Sequence, residues 1–237
     1  GGVDLIFPHH ENEIAQSEAA SGKDFVKYWL HNEYILVDGK KMSKSMGNFY
    51  TLRDLLDKGY SAKAIRYLLI STHYRQQLNF TLEGLKSAEN TIERIKEFVD
   101  TLNRKLKLGG TKHNKGITKI IENINIGFEE AMDDDLNVSE AEGFLFEFIK
   151  EMNKIMDTIS AKDAKTILDF LGHLDKVLGV MVFEDEKIPA KVMTLAEQRQ
   201  KARADKDFKA ADKLRDELKE KGYEVKDTKD GFVVKKI

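Results

Sequence analysis

Residues 38–48 read DGKKMSKSMGN, with lysines at 40, 41 and 44, serines at 43 and 45, and glycines at 39 and 47. Lysine ammonium groups are compact point charges suited to phosphate oxygens. The hydroxyls of Ser43 and Ser45 and the backbone at Gly47 add neutral hydrogen bonds. A mobile loop of this type can close over a triphosphate and stabilise the charge that grows on departing pyrophosphate. That is electrostatic catalysis, with no covalent step on the protein. A solvated basic turn is the competing reading and would suit an arbitrary KxxK. The intact word KMSKS, set between the apolar run EYILV and a capped helix, favours the phosphate reading. Lys44 is then the main phosphate contact, assisted by Lys41, Ser43 and Ser45.

A second group lies in PHHENE, residues 8–13. His9 and Glu13 are four apart, so on a helix they share one face. An imidazole and a carboxylate so placed can reach one Zn²⁺. His10 is three from Glu13 and fits a helix face as well, so spacing alone does not choose between the histidines. A hydrogen-bonded histidine beside a capping carboxylate is the simpler alternative.

These groups must be positioned by a chain of 237 residues, 41% hydrophobic and 34% charged, enough for a real core and too apolar for a disordered chain. The net charge of −2 means that any nucleic-acid contact must come from a local patch. With no cysteine, disulfides are excluded. No apolar run is long enough to cross a membrane and no leader pattern opens the chain, so a cytoplasmic protein is expected.

VDLIF (3–7) reads as a buried strand, and the following stretch to Gly22 as a helix. EYILVDGKK reads as a strand turning at Asp38-Gly39. Thr51 and Gly59 bracket one short helix, and Ser61 opens another. Leu82, Leu85, Ile92, Ile95, Phe98, Val99, Leu102 and Leu106 form a helical apolar stripe. A loop at KLGGTKHNKG follows, then helices in 117–132, 142–160 and 161–180, with Asn137 or Ser139 as a cap. The charged linker FEDEKIP leads to a helix pair and a hairpin around Asp230-Gly231. Phe208, among Lys206, Lys209 and Lys213, reads either as a base-stacking aromatic or as core. Asp133, Asp134 and Asp135 would repel phosphates and are read as orienting a helix N-terminus.

The KMSKS word resembles the second signature of class I aminoacyl-tRNA synthetases. FPHHENEIAQSEA, YWLHN, KMSKSMGNF, STHYRQQLNF, MDDDLNVSEA and RADKDFKAADKLRDEL, in that order, resemble the cysteinyl-tRNA synthetase family more narrowly. The match runs essentially end to end. It implies ATP-dependent activation of cysteine and transfer to tRNA(Cys), with Mg²⁺ alongside ATP. It also implies a tetrahedral Zn²⁺ held by two cysteines, a histidine and a glutamate, the latter two falling on His9 and Glu13. By analogy, Gly2 and Asp4 face the adenosine ribose. The sequence departs from the family in having no cysteine and no HIGH motif. The chain is therefore expected to be a C-terminal portion, inactive by itself, without tightly held zinc, and partnered by the missing N-terminal catalytic half.

The expected fold is mostly α with some β. Residues 1–50 would be the end of a Rossmann-type catalytic domain carrying the KMSKS loop, and 51–80 connective helices contacting the tRNA stem. Residues 81–187 would be a tRNA-binding helical bundle, and 188–237 a small α/β element at the anticodon. Expected partners are tRNA(Cys) and cysteine, with a monomeric state and no membrane. A non-catalytic tRNA-binding fragment is the alternative function. A ligase joining cysteine to an amino-sugar is less consistent, because that group lacks a tail such as the one after Pro189.

Overall fold

Thr51 shows how local chemistry sets the elements. Its hydroxyl accepts from the Asp54 N–H at 3.1 Å, and the Asp54 carboxylate accepts from the Thr51 N–H at 2.7 Å. This reciprocal capping box starts helix α2, Leu52–Asp57. The computed structural model describes residues 1–109, 114–183, 188–205, 207–228 and 231–236. It divides into two units, Gly1–Phe183 and Glu184–Ile237. Both are mostly helical with small sheets, as the sequence implies.

The first unit opens differently from expectation. VDLIF forms no strand: Val3–Leu5 is a 3-10 turn and Ile6–His10 a wider helical turn, with no buried residue in either. An apolar run makes a buried strand only where both faces are covered, and here Ile6 is 41% and Phe7 78% exposed. Only Gly2 pairs as a strand residue, in a parallel bridge to Asn32. Helix α1 spans Glu11–Ser21 and ends on Gly22, whose φ of 67° is the left-handed cap that glycine accepts most readily.

Strand β1, Ile35–Val37, turns into β2, Lys40–Lys41, through Asp38 and Gly39 at φ 50° and 71°. Two successive positive φ values give the two-residue turn that matches strand twist. After α2 and α3, Ala62–Ile70, the chain returns as β3, Leu78–Phe80, parallel to β1. The sheet order is β2-β1-β3.

The remaining helices of this unit are α4, Leu82–Leu108; α5, Lys115–Asp133; α6, Val138–Lys154; and α7, Ala161–Leu178. The expected α4 stripe is buried from Leu85 to Leu102, but Leu82 and Leu106 are 37% and 40% exposed, where the helix outruns its partners. Asn137, rather than Ser139, caps α6 by accepting from the Glu140 N–H, while Ser139 donates to the Ser71 carbonyl at 2.8 Å. Phe148 is fully buried and meets Phe170 edge-on with ring centroids 5.0 Å apart. At the other end of α7, Lys63 and Arg66 of α3 donate to the carbonyls of Met181 and Leu178, closing the carbonyl end of that helix.

Glu142 is the exception in this core, 6% exposed, with Oε1 lacking a hydrogen-bond partner among the described residues. Burial pushes its carboxyl up to about 7, against a hydrogen bond with Tyr67 that lowers it. A folded-state value above the ordinary 4.5 favours the protonated form, so this contribution is full at low pH and is lost as pH rises through about 7. Glu142→Gln is therefore expected to stabilise the chain by ~1–2 kcal/mol near pH ~8 and to leave it unchanged near pH ~4. Thermal melts of both proteins at the two pH values measure this, and equal differences at both would refute it.

The second unit pairs α8, Ala190–Ala204, with α9, Phe208–Glu220, beside the antiparallel strands β4, Tyr223–Thr228, and β5, Gly231–Lys236. Val192, Ala196, Leu218, Val225 and Val234 form its core. Buried Arg199 holds Asp227 through paired bonds of 2.9 and 3.2 Å, which keep that carboxyl below its usual range. Phe208 is 61% exposed, so the core reading of it is wrong: it opens α9 at the surface. Lys206, Asp230, the centre of the KLGGTKHNKG loop (110–113) and residues 184–187 of the linker lie outside the described residues.

Candidate functional site

The lysine-serine loop leaves the sheet at β2. Ser43 is extended, and Lys44–Met46 form one 3-10 turn closed by Gly47 at φ 68°. Asn48 clips the loop's two ends together. Its Oδ1 accepts from the Ser43 N–H at 2.9 Å, and its Nδ2 donates to the Lys41 carbonyl at 3.1 Å. The hydroxyls of Ser43 and Ser45 are 2.8 Å apart. Lys44 Nζ lies 5.4 Å from the Phe49 ring centroid and Lys41 Nζ 5.4 Å from that of Tyr34. Each ammonium thus rests against an aromatic face that attracts it without neutralising it. The structure brings Lys41, Ser43, Lys44 and Ser45 into one short exposed loop on a fixed base. That base is held from behind, because Asn79 of β3 accepts from the Gly39 N–H at 2.7 Å.

Gly2 and Asp4 lie on the opening segment. A Cβ on Gly2 would stand 2.5 Å from Asp4 Oδ1, so no larger residue fits there without moving the carboxylate. Among the described residues, no hydrogen bond or ion pair joins Gly2 or Asp4 to the lysine loop.

His9 and Glu13 lie in consecutive helical turns, both exposed. His10 is engaged elsewhere. Its Nδ1 is 2.8 Å from His31 Nε2, and its ring is 4.6 Å from Trp29, which stacks on His31 at 5.8 Å. Burial, then the neighbouring His10, pushes the His31 imidazole below its ordinary value. A zinc centre uses three or four protein ligands. Among the described residues no group of three or more His, Cys, Asp or Glu is placed to hold a metal ion, so His9 and Glu13 stand there without a third such donor.

The acidic run does not orient a helix N-terminus. Asp133 ends α5, and Asp135, at φ 53°, faces the 73–75 segment. The Tyr74 hydroxyl donates to its Oδ1 at 2.5 Å, Arg75 Nε lies 2.9 Å from Oδ2, and His73 Nε2 lies 2.9 Å from its carbonyl oxygen. Since the Glu33 N–H donates to the Tyr74 carbonyl at 2.9 Å, the same segment also ties to the lead-in of β1.

Sequence reasoning missed Asn48, Asn79, His31 and Asp135 as positioning groups. For Asn48 a signal existed, an asparagine directly after the glycine that closes a polar loop. The other three act across long sequence separations and leave no local mark.

Three family models match the chain in order. Residues 1–90 match one described as tRNA synthetases class I (C) catalytic domain, 127–183 a DALR domain, and 185–234 a cysteinyl-tRNA ligase anticodon binding domain. A cysteine–tRNA ligase of Chlamydia muridarum is 46% identical over all of this chain and 52% of its own length. One from Protochlamydia amoebophila is 43% identical over all of the chain and 50% of its own length. One from Brachyspira hyodysenteriae is 44% identical over 98% of the chain and 50% of its own length. The chain spans about half the length of the curated relatives it matches.

Proposed function

We propose that this chain, which belongs to the cysteine–tRNA ligase family, carries the phosphate-handling loop and the RNA-binding regions of an enzyme that activates cysteine with ATP and transfers it to tRNA(Cys). In the first step a cysteine carboxylate oxygen bonds to the α-phosphorus of ATP. The bond from that phosphorus to the bridging oxygen breaks, and pyrophosphate leaves. In the second step a hydroxyl of the tRNA's terminal ribose takes the acyl group and AMP departs.

The observation that carries this reading is the lysine loop, two exposed ammonium groups and two hydroxyls on a base clipped by Asn48. Lys44 meets the charge that grows on the departing pyrophosphate, with Lys41 beside it and Ser43 and Ser45 donating hydrogen bonds. Gly2 and Asp4 serve the adenosine ribose, a role supported by the close approach of the Asp4 carboxylate to Gly2. His9 and Glu13 would supply two ligands to a zinc ion that would hold the cysteine thiolate, with the other two from the half of the enzyme outside this chain. The engagement of His10 with His31 supports the choice of His9.

Residues 1–50 belong with the catalytic fold, 51–80 with the tRNA stem, 81–187 with the inner side of the tRNA and 188–237 with the anticodon, a division supported by the order of the family matches. Exposed Phe208 at the start of α9 suits a splayed base. The complete enzyme is expected to be a cytoplasmic monomer.

Because the zinc donors and the first nucleotide-binding motif are incomplete here, the isolated chain is expected to show no cysteine-dependent ATP–pyrophosphate exchange. Exchange above background by the pure 237-residue chain would overturn this division of labour.

A further inference from the structure

A groove lies between residues of α4 and α6, with Tyr67 of α3 beside them, away from the lysine loop in the sequence and in no way used by the chemistry above. Its larger cavity is about 770 Å³ and an adjoining one about 290 Å³, with Arg94, Phe146, Ile149 and Asn153 lining both. The larger one lies within the size range of small-molecule sites. Phe146 and Ile149 are partly buried and pack their inner sides on the core, which leaves an apolar wall open to the groove. Three cations, Arg94, Lys150 and Lys154, line the larger cavity, Lys154 in an ion pair with Glu151, and Glu97 lines the adjoining cavity. Thr91, Asn153 and Tyr67 add hydrogen-bonding groups.

Tyr67 also fixes one end of the groove. It lies next to Glu142, which is on the same face of α6 as Phe146 and one turn before it.

We propose that this groove binds a small aromatic anion, a flat ring lying against Phe146 and Ile149 and bearing a phosphate that Arg94 and Lys150 hold. Arginine offers a planar fork to a phosphate, and lysine beside it adds a second charge. A purely apolar ligand would leave Arg94 and Lys150 desolvated, and a bare anion would leave the aromatic wall wet. The combination selects a molecule having both parts.

Guanosine 5′-monophosphate is a suitable probe, with guanosine and inorganic phosphate as its two halves. Titration calorimetry on the 237-residue chain is expected to show the whole nucleotide binding at least about tenfold more tightly than either half. Arg94→Ala combined with Lys150→Ala is expected to weaken it by about tenfold or more. Lys150→Glu alone, on an exposed side chain, should do the same with an unchanged melting temperature. Lys44→Ala should leave the affinity as it was. The proposal is overturned if the nucleotide does not bind, or if it binds no better than guanosine. It is overturned as well if binding follows Lys44 rather than Arg94 and Lys150, or if only an RNA oligonucleotide binds, since the groove would then be part of a nucleic-acid surface.

Discussion

Replacing Lys44 by alanine in a complete ligase is expected to slow cysteinyl-adenylate formation by ~10²–10³, the cost of one lost transition-state donor. A suitable host is the Chlamydia muridarum relative, 46% identical, with its matching stretch replaced by residues 1–237. The Lys44 ammonium is exposed and rests against the Phe49 ring at 5.4 Å, so truncating it leaves the loop's frame intact. That frame depends on Asn48 and on backbone groups of Lys41 and Ser43. A contact made mainly in the transition state lowers kcat and kcat/KM together. Cysteine affinity should stay the same, because the loop is assigned to the phosphates. Rapid-quench measurement of adenylate formation and equilibrium cysteine binding separate the two quantities. Weakened cysteine binding with an unchanged chemical step would make the loop a substrate clamp instead.

Phe148→Ala is expected to cost about 3–5 kcal/mol, because a fully buried ring is removed from a packed site and a cavity remains. In a unit of this size that corresponds to a fall in Tm of about 10 °C. The ring meets Phe170 edge-on and sits within the helical core formed from α4 to α7. The loss should appear as a lower Tm without any change in where the lysine loop acts. A fall of only a degree or two would mean that the helices collapse onto the vacancy, and that this core is less tightly packed than its burial implies.

The parts of the fold that were legible in the sequence are those set by neighbours. Thr51 with Asp54, Gly22 after its helix, and the Asp38-Gly39 turn are all decided within a few residues. So is the α4 stripe between Leu85 and Leu102, since a helical period repeats every turn. VDLIF misled because an apolar run does not say what covers it, and Phe7 stands 78% exposed. Phe208 was ambiguous for the same reason. At the site, the four polar residues of the lysine loop announced themselves by type and spacing. What holds them did not: Asn79 reaches back 40 residues to Gly39, and His10 meets His31 across 21. Asp135 read as a charge in an acidic run, whereas its left-handed backbone turns it toward Tyr74 and Arg75, 61 and 60 residues away.

The most direct test of the central claim is cysteine-dependent ATP–pyrophosphate exchange by the hybrid ligase that carries residues 1–237 in the Chlamydia muridarum host. The account predicts exchange within about tenfold of the intact host, with serine inert in place of cysteine. A hybrid that is folded and binds tRNA(Cys) but gives no exchange above background would contradict the assignment of the phosphate-handling loop to this chain.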